Sequence, residues 1–322
     1  MMRIWLRLVA LTLMSAVNGQ VSRMDRAANL RSNPNSLEQL WAKAKIVHFS
    51  AGRLAIAAEA SQLNLLSAAE VATLIESGNF KSGERYFLGL DQIDNSPYFA
   101  WNSPHLNSEV NSDRNSGGDK APAGYSTLRE IGAGLDELQM EIALHTVALA
   151  NWHNTHPHCA RCGATTSVFL GGAIRICDQD KSEHYPRTDC AIIVLVRDSE
   201  DRILLGRQGI WPEGRFSCFA GFLEPGETFE QCVQRELFEE AGVAVREINY
   251  LGSQPWPFPA SIMISFEAIT DFPDSARPDG EEIVAIKWLT REELKAEVSA
   301  GTLLLPPDIS VSRKMIDRWL IG

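Results

Sequence analysis

Apolar and polar positions change their period several times along this chain, and each change marks a different kind of element. Between Ile46 and Trp101 the apolar runs are short, as in Arg85-Tyr86-Phe87-Leu88-Gly89-Leu90 and Tyr98-Phe99-Ala100-Trp101, and turn residues separate them. That pattern predicts strands in a small N-terminal α/β unit. From Asn102 to Gly124 the sequence turns polar and rich in Ser, Asn, Asp, Gly and Pro, which predicts a loop or mobile insert with too little apolar surface to order itself. Leu128, Ile131, Leu135, Leu138, Ile142, Leu149 and Trp152 then recur at helical spacing and predict one long amphipathic helix. Farther on, Ala191-Ile192-Ile193-Val194-Leu195-Val196 is continuously apolar, as in a buried strand, with Arg202-Ile203-Leu204-Leu205 as its hairpin partner. Ile283-Val284-Ala285-Ile286-Lys287-Trp288 predicts another strand. The fold class is therefore α/β (α+β), with no solenoid repeat.

One short helix carries most of the candidate chemistry. Gly221, Glu227, Arg235, Glu236, Leu237, Glu239, Glu240, Gly242 and Val243 fall at the spacing G-x5-E-x7-R-E-u-x-E-E-x-G-u, where u is apolar. Gly226 ends a turn, Thr228 and Gln231 form a capping box, and Gly242 closes the helix, which predicts a helix from Phe229 to Ala241. Phe229, Cys232, Val233 and Leu237 make its apolar stripe, while Glu236 and Glu240 share an edge that Glu239 adjoins. Like charges four residues apart destabilise a helix by a few tenths of a kcal/mol. Bound cations remove that repulsion, and hard carboxylate oxygens suit Mg²⁺ or Mn²⁺, which also bridge substrate phosphates. Such a site can acidify a water and neutralise charge on phosphoryl oxygens. The competing reading of any one glutamate pair is a solvated acidic face.

Composition narrows the partners. The chain has 322 residues, 45% hydrophobic and 22% charged, long enough for two domains and a small insert. A formal net charge of -11 argues against coating nucleic acid or anionic membrane, so an anionic substrate must meet local cations. The six cysteines, Cys159, Cys162, Cys177, Cys190, Cys218 and Cys232, are too few and too clustered for a secreted disulfide scaffold. Cys159-Ala160-Arg161-Cys162-Gly163 instead reads as a zinc knuckle, and Cys177 follows at zinc-ribbon distance. Asp180 and His184 are the two candidates for a fourth ligand, while Cys218 and Cys232 read as small core residues. At the N-terminus, Arg3 and Arg7 flank the apolar run Leu8 to Met14, a signal-like segment too short to span a bilayer comfortably. Met24 offers a second start, and thiol metal ligands belong in a reducing compartment. Residues 1–23 are accordingly read as a leader or upstream extension, and the protein as cytoplasmic with no membrane partner.

Downstream of the acidic helix lies Ser253-Gln254-Pro255-Trp256-Pro257-Phe258-Pro259-Ala260-Ser261. Alternating prolines stiffen the chain and hold flat side chains apart. Trp256 or Phe258 can stack on an adenine or nicotinamide ring, worth on the order of 1–3 kcal/mol per base. By composition alone the same aromatics serve equally well as core filling.

The segment from Gly221 to Val243 resembles the Nudix box, and the wider chain is similar to the NADH pyrophosphatase (NudC) family, whose S-Q-P-W-P-F-P-x-S stretch it matches in full. The resemblance implies a Nudix αβα sandwich with a mixed sheet, preceded by a smaller α/β N-terminal domain and a zinc-ribbon-like insert. It divides the chain into an N-terminal domain 24–126, a connecting helix 127–156, the insert 157–184 and a catalytic domain 185–322. It implies that Glu236, Glu239, Glu240, Glu282 and the carbonyl of Ala220 hold Mg²⁺ or Mn²⁺, with Glu239 or Glu240 activating water, Arg235 orienting the glutamates and Glu227 bracing the loop. Gln254, Pro255, Trp256, Pro257, Phe258, Pro259, Ala260 and Ser261 become the substrate segment, with Tyr185 and Ser312 as further contacts. Structural Zn²⁺ falls to Cys159, Cys162, Cys177 and a fourth ligand, and where the family carries a second C-x2-C this chain has Asp180. The implied reaction is hydrolysis of NAD(H) to NMN(H) and AMP, with removal of NAD caps from RNA as a related activity and a homodimer as the assembly. Rival expectations are a Nudix hydrolase of ADP-ribose or diadenosine polyphosphates, and a non-catalytic Nudix-fold sensor or regulator, in which the acidic helix would have decayed.

Overall fold

In the computed structural model, residues 22–57, 62–104 and 124–322 are described. Residues 1–21 of the signal-like segment and 105–123 of the polar stretch lie outside them. The described chain divides into two compact units, one of residues 21–187 with Pro257–Ala260, the other of Thr188–Trp256 with Ser261–Gly322. Among the described residues no helix is long and apolar enough to cross a membrane.

The first unit is built on a mixed sheet in which Lys45–Ser50 runs parallel to Pro97–Asn102 and antiparallel to Arg53–Ala55, while Glu84–Asp91 pairs antiparallel with Pro97–Asn102. Side chains alternate across it. Ile46, Phe87, Phe99 and Trp101 pack with Trp41 and Val71 on one face, while Val47, Phe49, Leu88, Tyr98 and Ala100 meet Ile142, Ala143, Val147 and Ala150 on the other. The latter four lie on the helix Glu137–Thr155.

The single helix expected from Leu128 to Trp152 is broken. Leu128–Ile131 is a short helix with its own capping box, Thr127 with Glu130; a 3-10 turn follows at Gly132–Gly134; and Asp136 starts the long helix anew by accepting from Gln139 N. Two glycines and a second N-cap outweigh the apolar period, because each cap satisfies amides that a continuous helix would have bonded itself. Three short strands, Thr166–Phe169, Ile174–Cys177 and Glu183–His184, form the separate antiparallel ribbon that carries the cysteines.

The second unit is an αβα sandwich. Its central strand Asp189–Arg197 runs parallel to Ser261–Ile269 and antiparallel to Phe219–Phe222. The hairpin expected with Arg202–Leu205 exists but covers only Val196↔Leu204 and Arg197↔Ile203; the observed strand Ile203–Gln208 pairs mainly with Ile283–Leu289. Alternation along the buried strand assigns the two cores. Ile192, Val194 and Val196 pack with Cys232, Val233, Leu237 and Ala241 of the acidic helix. Ile193 and Leu195 pack instead with Leu294 and with Val311, Met315, Ile316 and Trp319 of the C-terminal helix.

Candidate active site

The acidic helix spans Phe229–Ala241, begins with the reciprocal Thr228–Gln231 capping box and closes at Gly242, whose φ of 66° is the left-handed cap conformation. These bounds are the ones the sequence predicts, because every signal that sets them is local. Its buried stripe of Cys232, Val233, Leu237 and Ala241 also takes in Glu240. Glu240 is only 4% exposed, and its Oε2 has no hydrogen-bond partner among the described residues. Burial, then the charges of Glu282, Glu236, Asp279 and Glu239, push its carboxyl up to about 8 in the metal-free protein. A buried carboxylate oxygen without a donor, surrounded by further acids, is the environment a hard divalent cation relieves.

Glu236 lies against the strand before the helix. A Cβ added to Gly221 would fall 1.9 Å from its carboxyl carbon, so any side chain there would displace the Glu236 carboxylate from this position. Arg235 binds three acids: Nε donates to Glu227 at 2.6 Å, and Nη1 donates to Glu236 at 2.8 Å and Glu239 at 3.0 Å. Its Nη2 also donates to Phe222 O at 3.0 Å, and Glu227 accepts from Glu224 N at 3.0 Å, which ties loop and helix together. Glu239 is the exposed member of the set.

Glu282 enters from the loop before the Ile283–Leu289 strand, where it accepts from Gln208 Nε2 at 2.9 Å. That loop is shaped by Asp279, a residue the sequence reading passed over. Its carboxylate accepts from the amides of Ile283 at 2.8 Å and Glu282 at 3.2 Å, and its own amide donates to Glu240 O at 3.2 Å. The signal was an Asp-Gly turn three residues before Glu282.

A cavity of about 170 Å³ lies in this unit; Glu240, Ala220, Gln208, Gln254, Trp256 and Ser312 are among the residues lining it. Thus Ala220, Gln254, Trp256 and Ser312 share a cavity with Glu240. Other candidates are placed elsewhere. Pro257–Ala260 belongs to the first compact unit, where Phe258 packs against its core beneath the guanidinium of Arg129, 4.3 Å from the ring centroid. Asn151 Nδ2 donates there to Pro257 O at 3.0 Å and Pro259 O at 3.1 Å. Tyr185 is exposed in the first unit, with its hydroxyl donating to Glu183. Ser261 starts its strand opposite Trp256 and beside Asp189.

The second candidate metal centre lies in the ribbon. Ligand atoms of Cys159, Cys162, Cys177 and Asp180 are all within 4.8 Å of one another. Arg161 N donates to Cys159 Sγ and Asp180 N to Cys177 Sγ, each at 3.3 Å, but burial outweighs the bond at Cys177 and pushes its thiol up to about 11 in the metal-free protein. Burial opposes ionisation of Cys159, but hydrogen bonds from Ser182, Cys162 and Arg161 prevail and bring its thiol down to about 6. The hydroxyl and amide of Ser182 hold the Asp180 carboxyl down to about 2. His184 sits outside the cluster, its Nε2 3.2 Å from Ser182 Oγ. Three sulfurs and one carboxylate oxygen around a common point fit a tetrahedral Zn²⁺.

Fold and site together define a Nudix domain, and residues 186–308 match the NUDIX domain family. More narrowly, the chain is similar to the NAD-capped RNA hydrolases of the NudC family. It is 42% identical over 206 residues to the NAD-capped RNA hydrolase NudC of Mycobacterium bovis, covering 62% of this chain and 66% of that protein, just under two thirds of its length. The Mycobacterium tuberculosis protein of the same name is 41% identical over the same shares. The human NAD-capped RNA hydrolase NUDT12 is 33% identical over 58% of this chain and 43% of its own. Among solved structures, a NUDIX hydrolase from Nitrosomonas europaea aligns with 46% of this chain and 96% of its own, with 24% identity and a TM-score of 0.37.

Proposed function

We propose that this protein hydrolyses the pyrophosphate bond of NAD(H), with water adding to phosphorus and the bridging oxygen leaving, so that one dinucleotide and one water give NMN(H) and AMP. Glu240 carries the proposal: the residue lines the same cavity as Trp256 and has a buried oxygen without a hydrogen-bond partner among the described residues. Glu236, Glu239, Glu240, Glu282 and the carbonyl of Ala220 would hold Mg²⁺ or Mn²⁺. When bound, such a cation supplies charge neutralisation on the phosphoryl oxygens and lowers the pKa of water.

The chain's own groups do the rest. Glu240 is placed to accept the proton of the attacking water, being the buried acid at the cavity. Arg235 is saturated by Glu227, Glu236 and Glu239, so it positions carboxylates and leaves the phosphates to others. Trp256 offers a flat face to a base. NAD-capped RNA is a second substrate favoured by the names of the relatives, and recognition limited to the cap suits a net acidic chain. Zn²⁺ held by Cys159, Cys162, Cys177 and Asp180 is proposed as structural, in a homodimer, in a reducing compartment such as the cytoplasm.

The test incubates purified protein with NADH, NAD, ADP-ribose, a diadenosine polyphosphate and NAD-capped RNA in Mg²⁺ or Mn²⁺. Release of AMP from NADH at the highest kcat/KM supports the proposal. Preference for ADP-ribose or the diadenosine compound assigns another dinucleotide, and binding without turnover of any of them assigns a sensor. Metal analysis and light scattering check zinc and the dimer.

A further inference from the structure

Gln254 opens the proline-aromatic segment and lines the cavity, yet its polar atoms are engaged by protein. Nε2 donates to Ile309 O and Oε1 accepts from Val311 N, both at 2.7 Å. The two bonds bracket Ser310, the N-cap of the Val311–Ile321 helix. One residue farther along the same wall, Ser312 is 1% exposed; its Oγ accepts from Cys218 N at 3.1 Å and lies 2.8 Å from Ser217 Oγ. Gln254, Ser310, Val311, Ser312, Ser217 and Cys218 all line the cavity that also holds Trp256 and Glu240. The Gln254 carboxamide and the Ser312 hydroxyl therefore close a hydrogen-bonded belt from the Arg246–Trp256 strand, through the start of the C-terminal helix, to Ser217 and Cys218 just before the Phe219–Phe222 strand.

We propose that Gln254 is a positioning residue: it holds the Ile309–Ser312 wall, and through it the width of the cavity between Trp256 and Glu240, instead of gripping substrate. Trp256 follows Gln254 by two residues and shares its face of the strand, so the bracket fixes the aromatic face and the facing wall with one side chain. Loss of the amide frees a helix-start N–H and a carbonyl that the cavity does not otherwise satisfy. The wall then fluctuates, and a substrate seated on Trp256 reaches the acidic centre in the productive geometry less often. A direct ligand contact would leave the wall in place and act alone.

Only the kinetic part of the test rests on the proposed NAD(H) hydrolysis. Hydrogen exchange is first measured without substrate on wild type, Gln254→Ala and Gln254→Glu, the last keeping an acceptor for Val311. Exchange in 309–313 is expected to rise about tenfold in Gln254→Ala, with the Asp189–Arg197 strand unchanged, and to return toward wild type at Val311 in Gln254→Glu. Kinetics of Gln254→Ala, Ser312→Ala and the double variant follow, with NADH. Each single variant is expected to lower kcat/KM about tenfold, falling on kcat as well as KM, and the double variant to lose little more, because one belt is cut twice. Unchanged exchange at Val311, or losses that multiply in the double variant, overturns the proposal. If NADH is not a substrate at all, the exchange result still decides the bracket, while the functional reading fails by itself.

Discussion

The acidic centre and the thiol cluster are both candidate cation sites, but they differ in how the protein treats its own ligands. In the ribbon, three of the four candidate ligands are supported by the chain: amides donate to Cys159 and Cys177, and Ser182 donates to Asp180. On the acidic helix, Arg235 satisfies Glu236 and Glu239 while Glu240 is left buried with a bare oxygen. The ribbon thus braces most of its candidate ligands, whereas the helix retains an electrostatic conflict of the kind a divalent cation would relieve. Such a conflict weakens the metal-free fold, which is the expected sign of a site shaped for chemistry.

The largest effects come from removing that conflict. Glu240→Gln is expected to lower kcat/KM by about 10²- to 10⁴-fold and at the same time to raise the melting temperature of the metal-free protein, as followed by calorimetry with chelator. A variant that loses activity and stability together would mean that Glu240 is held by packing instead. On the other side of the comparison, Ser182→Ala leaves all four ligands in place and is expected to weaken zinc binding about 10- to 100-fold, measured by competition with a chromogenic chelator, with NADH turnover of zinc-loaded protein nearly unchanged.

Acidity separates the two sites further. The Glu240 carboxyl is raised from 4.5 to about 8 in the folded, metal-free protein, so between those values the folded state binds the proton that the unfolded chain has lost. Stability of the metal-free protein therefore falls as pH rises through that window. Thermal melts with and without Mg²⁺ should show a larger stabilisation at pH 8.5 than at pH 5.5, and an equal shift at both would remove Glu240 from the binding site. The smallest effect is local: Thr228→Ala deletes the N-cap of the acidic helix and is expected to cost about 1 kcal/mol in urea unfolding, with activity largely retained.

Legibility in the sequence followed the range of the interactions. The helix Phe229–Ala241 could be bounded to the residue because Thr228, Gln231 and Gly242 act within one turn. The break at Gly132–Asp136 was hidden beneath an apolar period that continues across it, although the glycines and Asp136 were present to signal it. Pairing of Ile203–Gln208 with Ile283–Leu289, about 80 residues apart in sequence, has no local mark. The same holds for the site. Three glutamates and three cysteines announce themselves by spacing, but burial of Glu240, the bracing of Glu282 by Asp279 and the division of the proline-aromatic segment at Trp256 and Pro257 depend on distant chain. Composition left Trp256 and Phe258 equivalent. In the structure Trp256 lines the cavity and Phe258 packs under Arg129.

The most direct measurement follows AMP released from NADH under saturating Mn²⁺ by wild type, Glu240→Gln and Trp256→Ala in parallel. The account predicts rapid release by wild type, a loss of at least about 10²-fold in Glu240→Gln that falls on kcat, and a loss in Trp256→Ala that falls mainly on KM. Full activity in Glu240→Gln, or no AMP from wild type, would contradict it.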